Sequence, residues 1–508
     1  MIIENRSMRW RARFISMLVV SAAAGCQEPN PRSCIDGTCT DPSLPFCDVD
    51  GALVGQPETC IAVACTPGEF AACRGDHAIT CNSEGTSYDL IQCERGCDEA
   101  AGGCRLCEPN QTVCANGKVQ ACDESGAVTA SEACPLGCFS EEPRCTKLVP
   151  SNGLSQYLPL AADAPVLDFE SISIDTTTGE VQDLVSHTPI LVPNFSFSTP
   201  NAPGVRVFLA SSANLRTVFV SALHDGKAGA GNAFALVTKG PLRITGPIKV
   251  SFGVGTPKTG CNAGMGHYRI DDGDGDGPFL ATGSGGGGNA TVGGAGGGVS
   301  GFFAGAVGGA PIGNELIVPL QGGCSSGPLD GRDVYGDGEM IDGVLGGGAV
   351  QLVSSTEIVF DGKLDVRGGR GAAEADPLSV LVWGGGAGGS VLLEAPIVTM
   401  TDRALIIAKG GGGGAVGPES SSDDTANADP GQTCQVQPCS PGGLGGTVGS
   451  PPVSALDVTR SGNTGNGYAG GGGGAIGRLR VNTASGGYAK TSMTLEVAAT
   501  SSGTIEVE

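Results

Sequence analysis

The chain has 508 residues, a formal net charge of −23, 87 glycines and 21 cysteines. No cluster of Lys and Arg lies outside the first 25 residues, which excludes the basic stripe that nucleic-acid binding needs. Aromatic residues make up 5% of the chain, and this favours thin β layers of Val, Leu, Ile and Ala over a bulky helical core. Cysteine and glycine concentrate in different regions, so at least two architectures share the chain.

Residues 1–25 have the features of a secretory signal peptide. Four arginines precede a short apolar run at residues 14–20, and small residues then lead up to Cys26. The run is too short to span a bilayer, and this arrangement is typical of export signals. Residues 23–26, Ala-Ala-Gly-Cys, resemble the lipobox of bacterial lipoproteins, whose cysteine sulfur is acylated, although the usual first-position Leu is replaced. The alternative is cleavage after Ala23, which leaves Cys26 unmodified.

A six-cysteine module occurs twice, at residues 65–106 and 107–146, after a four-cysteine unit within residues 26–64. The cysteine steps are 8, 8, 12, 4 and 7 in the first copy and 7, 8, 12, 4 and 7 in the second, so one structural unit is used twice. Units this small depend on cross-links, each contributing about 2–4 kcal/mol. Zinc binding is the alternative, but Cys-x-x-Cys occurs once, across the module junction, and an exported chain favours disulfides.

Cysteine parity supports this division of roles. Seventeen cysteines lie in residues 26–145 and four lie later, so a lipidated Cys26 leaves two even sets. The pairing within each set stays open. The cysteines predicted to form disulfides are Cys34, Cys39, Cys47, Cys60, Cys65, Cys73, Cys81, Cys93, Cys97, Cys104, Cys107, Cys114, Cys122, Cys134, Cys138, Cys145, Cys261, Cys324, Cys434 and Cys439.

After a linker with entry strands at residues 147–200, residues 201–508 repeat one strand-turn-strand design. Residues 233–250 and 349–366 align without a gap, and residues 391–408 form a third copy with one residue lost and one gained. Apolar and polar residues alternate in each copy, as in half-buried strands. The repetition predicts a parallel β-helix, or β-solenoid, with stacked coils. An antiparallel β-sandwich is the alternative. The positions predicted to point inward are Leu236, Leu242, Ile244, Ile248 and Val250, then Leu352, Ile358, Phe360, Leu364 and Val366, then Leu393, Val398, Met400, Leu405 and Ile407.

Long glycine-rich tracts separate these copies, at residues 283–310, 368–389, 410–449 and 462–474. Such composition fits flexible linkers. The interspersed Val, Leu and Phe and the scarcity of charge fit packed loops along one face of the solenoid equally well. Pairing of Cys261 with Cys324 and of Cys434 with Cys439 would staple two of these tracts. The fold class is therefore mainly β, with disulfide-rich modules followed by a solenoid with long glycine-rich loops.

Three features together carry a family resemblance: the lipobox, the cysteine modules, and the segments Gly-Gly-Ser-Val-Leu-Leu-Glu-Ala-Pro at 388–396 and Gly-Gly-Gly-Gly-Ala-Ile-Gly-Arg-Leu-Arg-Val-Asn at 471–482. They resemble uncharacterised glycine-rich surface lipoproteins of the kind predicted in myxobacterial genomes. The resemblance covers nearly the whole chain. It implies a location and an architecture and carries no known activity.

One loop offers a candidate metal site. Asp272, Asp274 and Asp276 occupy positions 1, 3 and 5 of an EF-hand-like loop with Gly277 at position 6, which favours calcium. Gly283 stands where that loop needs a bidentate Glu, so the alternative is a solvated acidic turn. The four histidines form no metal-binding spacing, although His267 lies beside this loop.

The sequence contains no recognisable catalytic set, so we expect a cell-surface lipoprotein with a structural, adhesion or binding role. The expected location is the cell envelope, at the outer membrane or cell surface. Its expected contacts are the membrane through the lipid anchor, and a surface protein or polysaccharide. Two alternatives stay open: a β-helix polysaccharide-degrading enzyme, either lyase or glycosidase, and a calcium-dependent carbohydrate-binding module. Trp383 is the sole tryptophan after the leader, and few aromatic residues are available to stack on sugars.

Overall fold

The computed structural model describes residues 32–34, 36–49, 51–62, 65–99, 102–105, 107–124, 126, 128–198, 202–224, 227–228, 231–257, 261–270, 279–330, 340–376, 379–415, 440–459, 467–491 and 493–508. The chain divides into two compact units. The first comprises residues 1–132 and 140–143, and the second comprises residues 133–139 and 144–508. The division falls inside the second six-cysteine module.

The disulfide-rich region consists of short antiparallel strands. β3 and β4 pair directly, and β4 also pairs with β5, while β8 and β9 form the corresponding hairpin of the second module. A mainly β protein with an N-terminal disulfide-rich region is therefore confirmed. The strands are β1 (Phe46–Asp48), β2 (Thr59–Ile61), β3 (Phe70–Arg74), β4 (His77–Cys81), β5 (Tyr88–Gln92), β6 (Cys97–Asp98), β7 (Gly103–Cys104), β8 (Thr112–Ala115), β9 (Lys118–Cys122) and β10 (Val128–Ala133).

Two of the disulfide bonds recur at the same positions in both modules. The first module joins its first cysteine to its third, its second to its fifth and its fourth to its sixth. The second module repeats the first-to-third and fourth-to-sixth bonds, and Cys114 and Cys138 are also disulfide-bonded. The bonds are Cys34–Cys47, Cys39–Cys60, Cys65–Cys81, Cys73–Cys97, Cys93–Cys104, Cys107–Cys122 and Cys134–Cys145.

The first elements that lie wholly within the second unit are β11 (Leu148–Val149), a 3-10 turn at Ser155–Tyr157 and the short helix α1 (Leu158–Ala161). Among the residues placed in the structure, no helix has the length and apolarity to cross a membrane. The following strands are β12 (Leu167–Asp175), β13 (Val181–Asp183), β14 (Pro189–Ile190), β15 (Asn194–Phe197), β16 (Val205–Ala210), β17 (Ala213–Ser221), β18 (Leu223–His224), β19 (Lys227–Ala228), β20 (Ala233–Thr238), β21 (Leu242–Ile244), β22 (Pro247–Val250), β23 (Tyr268–Ile270), β24 (Phe279–Ala281), β25 (Leu329–Asp330) and β26 (Met340–Ile341).

The remaining strands run from residue 349 towards the C-terminus. They are β27 (Ala349–Ser354), β28 (Glu357–Phe360), β29 (Lys363–Asp365), β30 (Ala373–Asp376), β31 (Ser379–Val382), β32 (Ser390–Glu394), β33 (Ile397–Met400), β34 (Leu405–Ile407), β35 (Gly467–Tyr468), β36 (Arg478–Thr483), β37 (Ala489–Lys490), β38 (Thr494–Glu496), β39 (Ala499–Thr504) and β40 (Glu506–Val507).

Two large sheets organise this unit. One has the order β15-β16-β20-β27-β32-β36-β39, and every pair after β15-β16 is parallel. The other has the path β37-β33-β28-β21-β17-β22-β29-β34-β38, with β12 also parallel to β17. The chain visits one strand of the first sheet and then two of the second, repeatedly. This parallel pairing differs from the antiparallel sandwich considered as the alternative, and neither sheet closes on itself in the described ranges.

The strand register follows the repeat seen in the sequence. Residues 233–250 and 349–366 pair without a gap, as predicted. Leu236 lies beside Leu352, Leu242 beside Ile358, Ile244 beside Phe360 and Ile248 beside Leu364.

The end of the third copy departs from the predicted register. Leu364 pairs with Ile406, and Asp365 pairs with Ile407, so the prediction that Leu405 and Ile407 take the inward positions is wrong by one residue. Ile406 is fully buried. The turn at residues 401–404 is two residues longer than the matching turn of the second copy, and not one residue longer as the sequence alignment predicts. A hydrogen bond from Ala404 N–H to Thr401 O closes this longer turn.

The main core lies between the two sheets and consists of inward residues from successive strands. Phe234, Leu352, Phe360 and Leu393 are fully buried there. A second core covers the opposite face of the seven-stranded sheet, where Leu154 and α1 pack. Burying each such side chain stabilises the fold by about 1.5–3 kcal/mol, so both faces of this sheet contribute.

The buried carboxylate of Glu394 binds the chain segment at residues 148–151. Glu394, 1% exposed, accepts hydrogen bonds from Ser151 Oγ at 2.7 Å, Gln351 Nε2 at 2.7 Å and Asn482 Nδ2 at 2.9 Å. These donors compensate the desolvation of a charge held away from water. Together with the pairing of β11 with β40, they hold residues 148–151 on the sheet.

Candidate functional site

Most of the described residues of the glycine-rich tracts are packed and hydrogen-bonded. Most of their residues lie outside helices and strands, and the segments run directly out of and into the strands of the two large sheets, as at Gly389 before β32 and Gly477 before β36. We call this set the glycine bundle. It comprises residues 282–289, 293–299, 303–310, 322–328, 343–348, 366–372, 383–389, 408–415, 440–447, 451–458 and 468–477.

Hydrogen bonds in the bundle repeat every three residues. In the segment 470–477, Gly471, Gly474 and Gly477 donate to the carbonyl oxygens of Gly414, Gly411 and Ala408, at 2.9, 2.8 and 2.7 Å. The next residues, Gly472 and Ala475, donate with the same three-residue spacing to the carbonyl oxygens of Ser284 and Gly287, at 3.0 and 2.8 Å. A period of three is that of a polyproline II helix, which has no internal hydrogen bonds and leaves every backbone group free for a neighbour.

Residues 470–477 form the centre of the bundle. Their N–H groups donate to segments 408–415, 282–289 and 451–458, and their carbonyl groups accept from segments 383–389, 293–299 and 440–447. Six neighbours therefore surround one chain. Buried backbone groups need partners, and this arrangement supplies them without a conventional sheet.

Glycine is required here because neighbouring backbones come too close to leave room for a side chain. It is not required by the backbone conformation. The glycines of the central segment are absent from the residues with positive φ. A Cβ on Gly472, Gly473 or Gly474 would lie 2.0, 1.9 or 2.0 Å from a carbonyl oxygen of a neighbouring segment. Each contact is with backbone, which cannot rotate away, so any side chain at these positions would force the segments apart.

A disulfide bond and an arginine side chain connect separate segments of the glycine bundle. The Cys261–Cys324 disulfide places fully buried Cys324 between two segments, because its N–H donates to Gly288 O and its carbonyl accepts from Ala387 N–H. The guanidinium of Arg478 donates to Asn289 Oδ1 at 2.7 Å and to Asn289 O at 3.0 Å. Burial lowers the pKa of Arg478, and the charge of Glu315 opposes that effect.

Short hairpins emerge at one end of the bundle. β23 pairs with β24, β25 with β26 and β30 with β31, each antiparallel. Their bases adjoin, because Gly266 N–H donates to Pro328 O, Ser284 N–H donates to Val382 O, and β24 also pairs with β35. The bundle thus brings together segments that lie far apart in sequence.

His267 lies at this junction. Its Nδ1 is 3.9 Å from Asp330 Oδ2, and its ring stacks on Phe303 with centroids 5.7 Å apart and an interplanar angle of 12°. Its backbone N–H donates to Thr282 Oγ1 at 2.8 Å. The residues that line the shallow depression beside this pair are Gly266, Thr282, Leu329, Val380, Leu381 and Val382.

Several predicted site residues lie outside the described residues: Cys26, Asp272, Asp274, Asp276, Cys434 and Cys439. The sulfurs of Cys34, Cys39 and Cys47 lie within 4.8 Å of one another. Because all three are disulfide-bonded, they provide no thiolate ligands for a metal.

Two features were not anticipated from the sequence. The proximity of Asp330 to His267 depends on chain crossings across 63 residues and has no local signal. The three-residue period does have one, since Pro441-Gly-Gly-Leu444-Gly-Gly-Thr447 carries a side chain at every third position. Pro441 and Leu444 are exposed there and the intervening glycines are buried.

No protein-family model matches the chain, and neither a curated protein nor a solved structure matches it.

Proposed function

We propose that this chain is a lipid-anchored protein of the bacterial cell envelope, displayed at the outer membrane or cell surface, that binds a surface protein or polysaccharide and performs no catalysis. The observation that carries the proposal is the gathering of three hairpins at one end of a densely hydrogen-bonded bundle. Loops held by a rigid scaffold are the usual location of binding surfaces.

We further propose that the second unit is a β-solenoid. Parallel pairing of β20, β27, β32 and β36, with matching apolar residues in register, supports stacked coils. The antiparallel strand β15 at one end of the seven-stranded sheet fits a terminal cap, which solenoids need for solubility.

The charge of the hairpin end supports a cationic or cation-bridged partner. The connecting sequences between β23 and β24 and between β25 and β26 contain four and three acidic residues, within 271–278 and 331–339. Carboxylates concentrated on such loops attract cations and repel anionic partners. A polysaccharide that is itself acidic would therefore require a bridging divalent ion.

The enzyme alternative has less support. A polysaccharide-degrading site needs two converging carboxylates free to act on the sugar. Asp361, in the turn after β28, bonds Arg403, Asp365 in β29 bonds Arg367 at 2.8 Å, and Glu357 in β28 bonds Arg243 at 3.2 Å. Each of these acids is engaged with a separate arginine, and this favours a structural face.

Lipidation can be tested with the full chain in a Gram-negative host and a Cys26→Ser variant. Cys26 is the acceptor for the diacylglycerol, so we expect the wild type to incorporate a palmitate analogue and to partition with membranes. The variant should lose both properties, because the serine has no thiol for the thioether bond. A Cys34→Ser variant controls for general loss of a cysteine. Membrane retention and labelling in Cys26→Ser would refute the anchor.

A cation requirement can be tested by calorimetric titration of the full chain in detergent with Ca²⁺. We expect saturable binding that is lost when Asp272→Ala, Asp274→Ala and Asp276→Ala are combined, because Ca²⁺ depends on carboxylate oxygens. Asp423→Ala with Asp424→Ala removes charge from another acidic stretch and should preserve binding. Equal affinity in wild type and triple variant would reduce this loop to a solvated acidic turn.

A further inference from the structure

We propose that Ser151 and Gln351 become joined by an ester bond between their side chains, with Glu394 as the base for the reaction. Gln351 lies on β27 and Glu394 on the neighbouring strand β32, and both are 1% exposed or less. Ser151 reaches them from the segment that precedes α1. This modification goes beyond the binding role proposed above and needs no external substrate, because every reacting group belongs to this chain.

Ser151 is placed as a nucleophile. Its Oγ donates to Glu394 Oε1 at 2.7 Å, and its backbone N–H donates to Glu394 Oε2 at 3.1 Å. A serine hydroxyl becomes an effective nucleophile when an adjacent base accepts its proton, and such a base lies within about 2.6–3.2 Å. Glu394 is buried, where a hydrogen bond is electrostatically stronger than in water. Ser151 therefore has the base that attack on a carbonyl requires.

The side-chain amide of Gln351 is placed as the electrophile. Its Nε2 donates to Glu394 Oε2 at 2.7 Å and to Ser151 O at 3.1 Å, so one carboxylate contacts both the attacking hydroxyl and the leaving nitrogen. Its Oε1 accepts from Asn152 Nδ2 at 3.0 Å. A donor at this oxygen stabilises the negative charge that develops there during attack. Two consecutive residues thus supply the nucleophile and the donor.

The reaction is balanced within these groups. Glu394 accepts the proton of Ser151 Oγ as this oxygen bonds to Cδ of Gln351. The bond from Cδ to Nε2 then breaks, and Glu394 passes the proton to the nitrogen, which leaves as ammonia. An ester replaces an amide, the carboxylate is regenerated, and no oxidant, reductant or activated co-reactant is consumed. Groups held together in this way reach effective concentrations of about 10⁵–10⁸ M.

The ester would link distant parts of the second unit. Ser151 and Gln351 are 200 residues apart in sequence, and β27 is the central strand of the seven-stranded sheet. Ser151 is half-buried, so ammonia can escape to solvent and the reaction is drawn forward. The segment that follows the disulfide-rich region would then be tied to the sheet covalently as well as by hydrogen bonds.

The experiment is mass spectrometry of the full chain, purified in detergent and digested with trypsin. Trypsin cleaves after Lys and Arg, so Ser151 falls within the peptide 148–206. Gln351 falls within the peptide 333–363. We expect the two peptides to be recovered joined, with a mass lower than their sum by one ammonia. Fragmentation should place the link at Ser151 and Gln351, and Ser151→Ala should give separate peptides.

Three further variants separate the chemistry from the fold. Ser151→Thr retains a hydroxyl and should keep the link. Glu394→Gln retains the shape of the side chain, removes the base and should leave the peptides separate. Ser354→Ala is the matched control, because Ser354 is a buried serine whose Oγ donates to Gly240 O at 2.8 Å, and it should keep the link. Circular dichroism checks that each variant retains its β structure, and Ser151→Ala against Ser151→Thr decides the matter if Glu394→Gln does not fold.

Three results would overturn the proposal. The first is recovery of the wild-type peptides 148–206 and 333–363 separately and at unmodified mass. The second is a loss of ammonia that persists in Ser151→Ala, which would place the change elsewhere, as in a succinimide at Asn152. The third is a link that persists in folded Glu394→Gln, since the carboxylate would then have no part in the reaction.

Discussion

Alanine at Gly474 should destabilise the second unit by at least about 3 kcal/mol, the upper part of the range for overpacking a tightly filled interior. A Cβ there would lie 2.0 Å from Gly386 O and 2.5 Å from Gly386 C. Gly474 also donates to Gly411 O and accepts from Gly446 N–H. A shift that relieved the clash would stretch hydrogen bonds on two other sides of the segment, so the structure cannot relax locally.

The measurement is the free energy of unfolding, together with hydrogen exchange of the bundle amides. Gly487→Ala is the matched control, since its Cβ would meet no heavy atom closer than Ser485 Oγ at 3.9 Å, and it should change stability by less than about 0.5 kcal/mol. Equal stability of the two variants would mean that the bundle is not packed as described. A loss confined to Gly474→Ala, with faster exchange at Gly471 and Gly472, is the expected result.

Removing the Cys261–Cys324 bridge with paired alanines should cost about 4 kcal/mol, because chain-entropy loss grows with the length of the closed loop. The sequence separation is 63 residues, the longest among the disulfides that the structure details. The bridge fixes Cys324, whose N–H donates to Gly288 O and whose carbonyl accepts from Ala387 N–H, so we expect exchange protection to fall first at the amides of residue 324 and Ala387.

The control for this pair is Cys65→Ala with Cys81→Ala, whose separation is 16 residues and which belongs to the first compact unit. That variant should lower the stability of its own module and leave the exchange of the bundle amides unchanged. If both alanine pairs altered the bundle to the same extent, the Cys261–Cys324 bond would have no specific role there.

The repeat of the coils could be predicted because strand register and residue chemistry agree. Leu242 and Ile358 occupy matching positions in the sequence and also in the sheet, since alternation with period two fixes which face is buried. The same reasoning failed at Leu405, because a turn can absorb one or two extra residues at similar cost. Turn length is set by local hydrogen bonds such as Ala404 N–H to Thr401 O, which the apolar pattern does not encode.

Composition alone does not decide whether the glycine-rich tracts are ordered or flexible. Glycine is equally suited to a flexible linker and to an interior where backbones touch. Only neighbours from other segments distinguish the two, and the neighbours of Gly473, namely Val453 and Leu444, lie outside its own tract at 462–474. The side chains at every third residue in 441–447 were the one local clue.

The sequence by itself determined the disulfide-rich region, the mainly β class and the strand repeat, because cysteine spacing and apolar alternation are local properties that constrain local structure. Tertiary structure alone decided the packing of the glycine bundle, the burial of Glu394 and the meeting of His267 with Asp330. These depend on contacts between residues distant in the chain, where each backbone or side chain acquires its partner only once the coils have stacked.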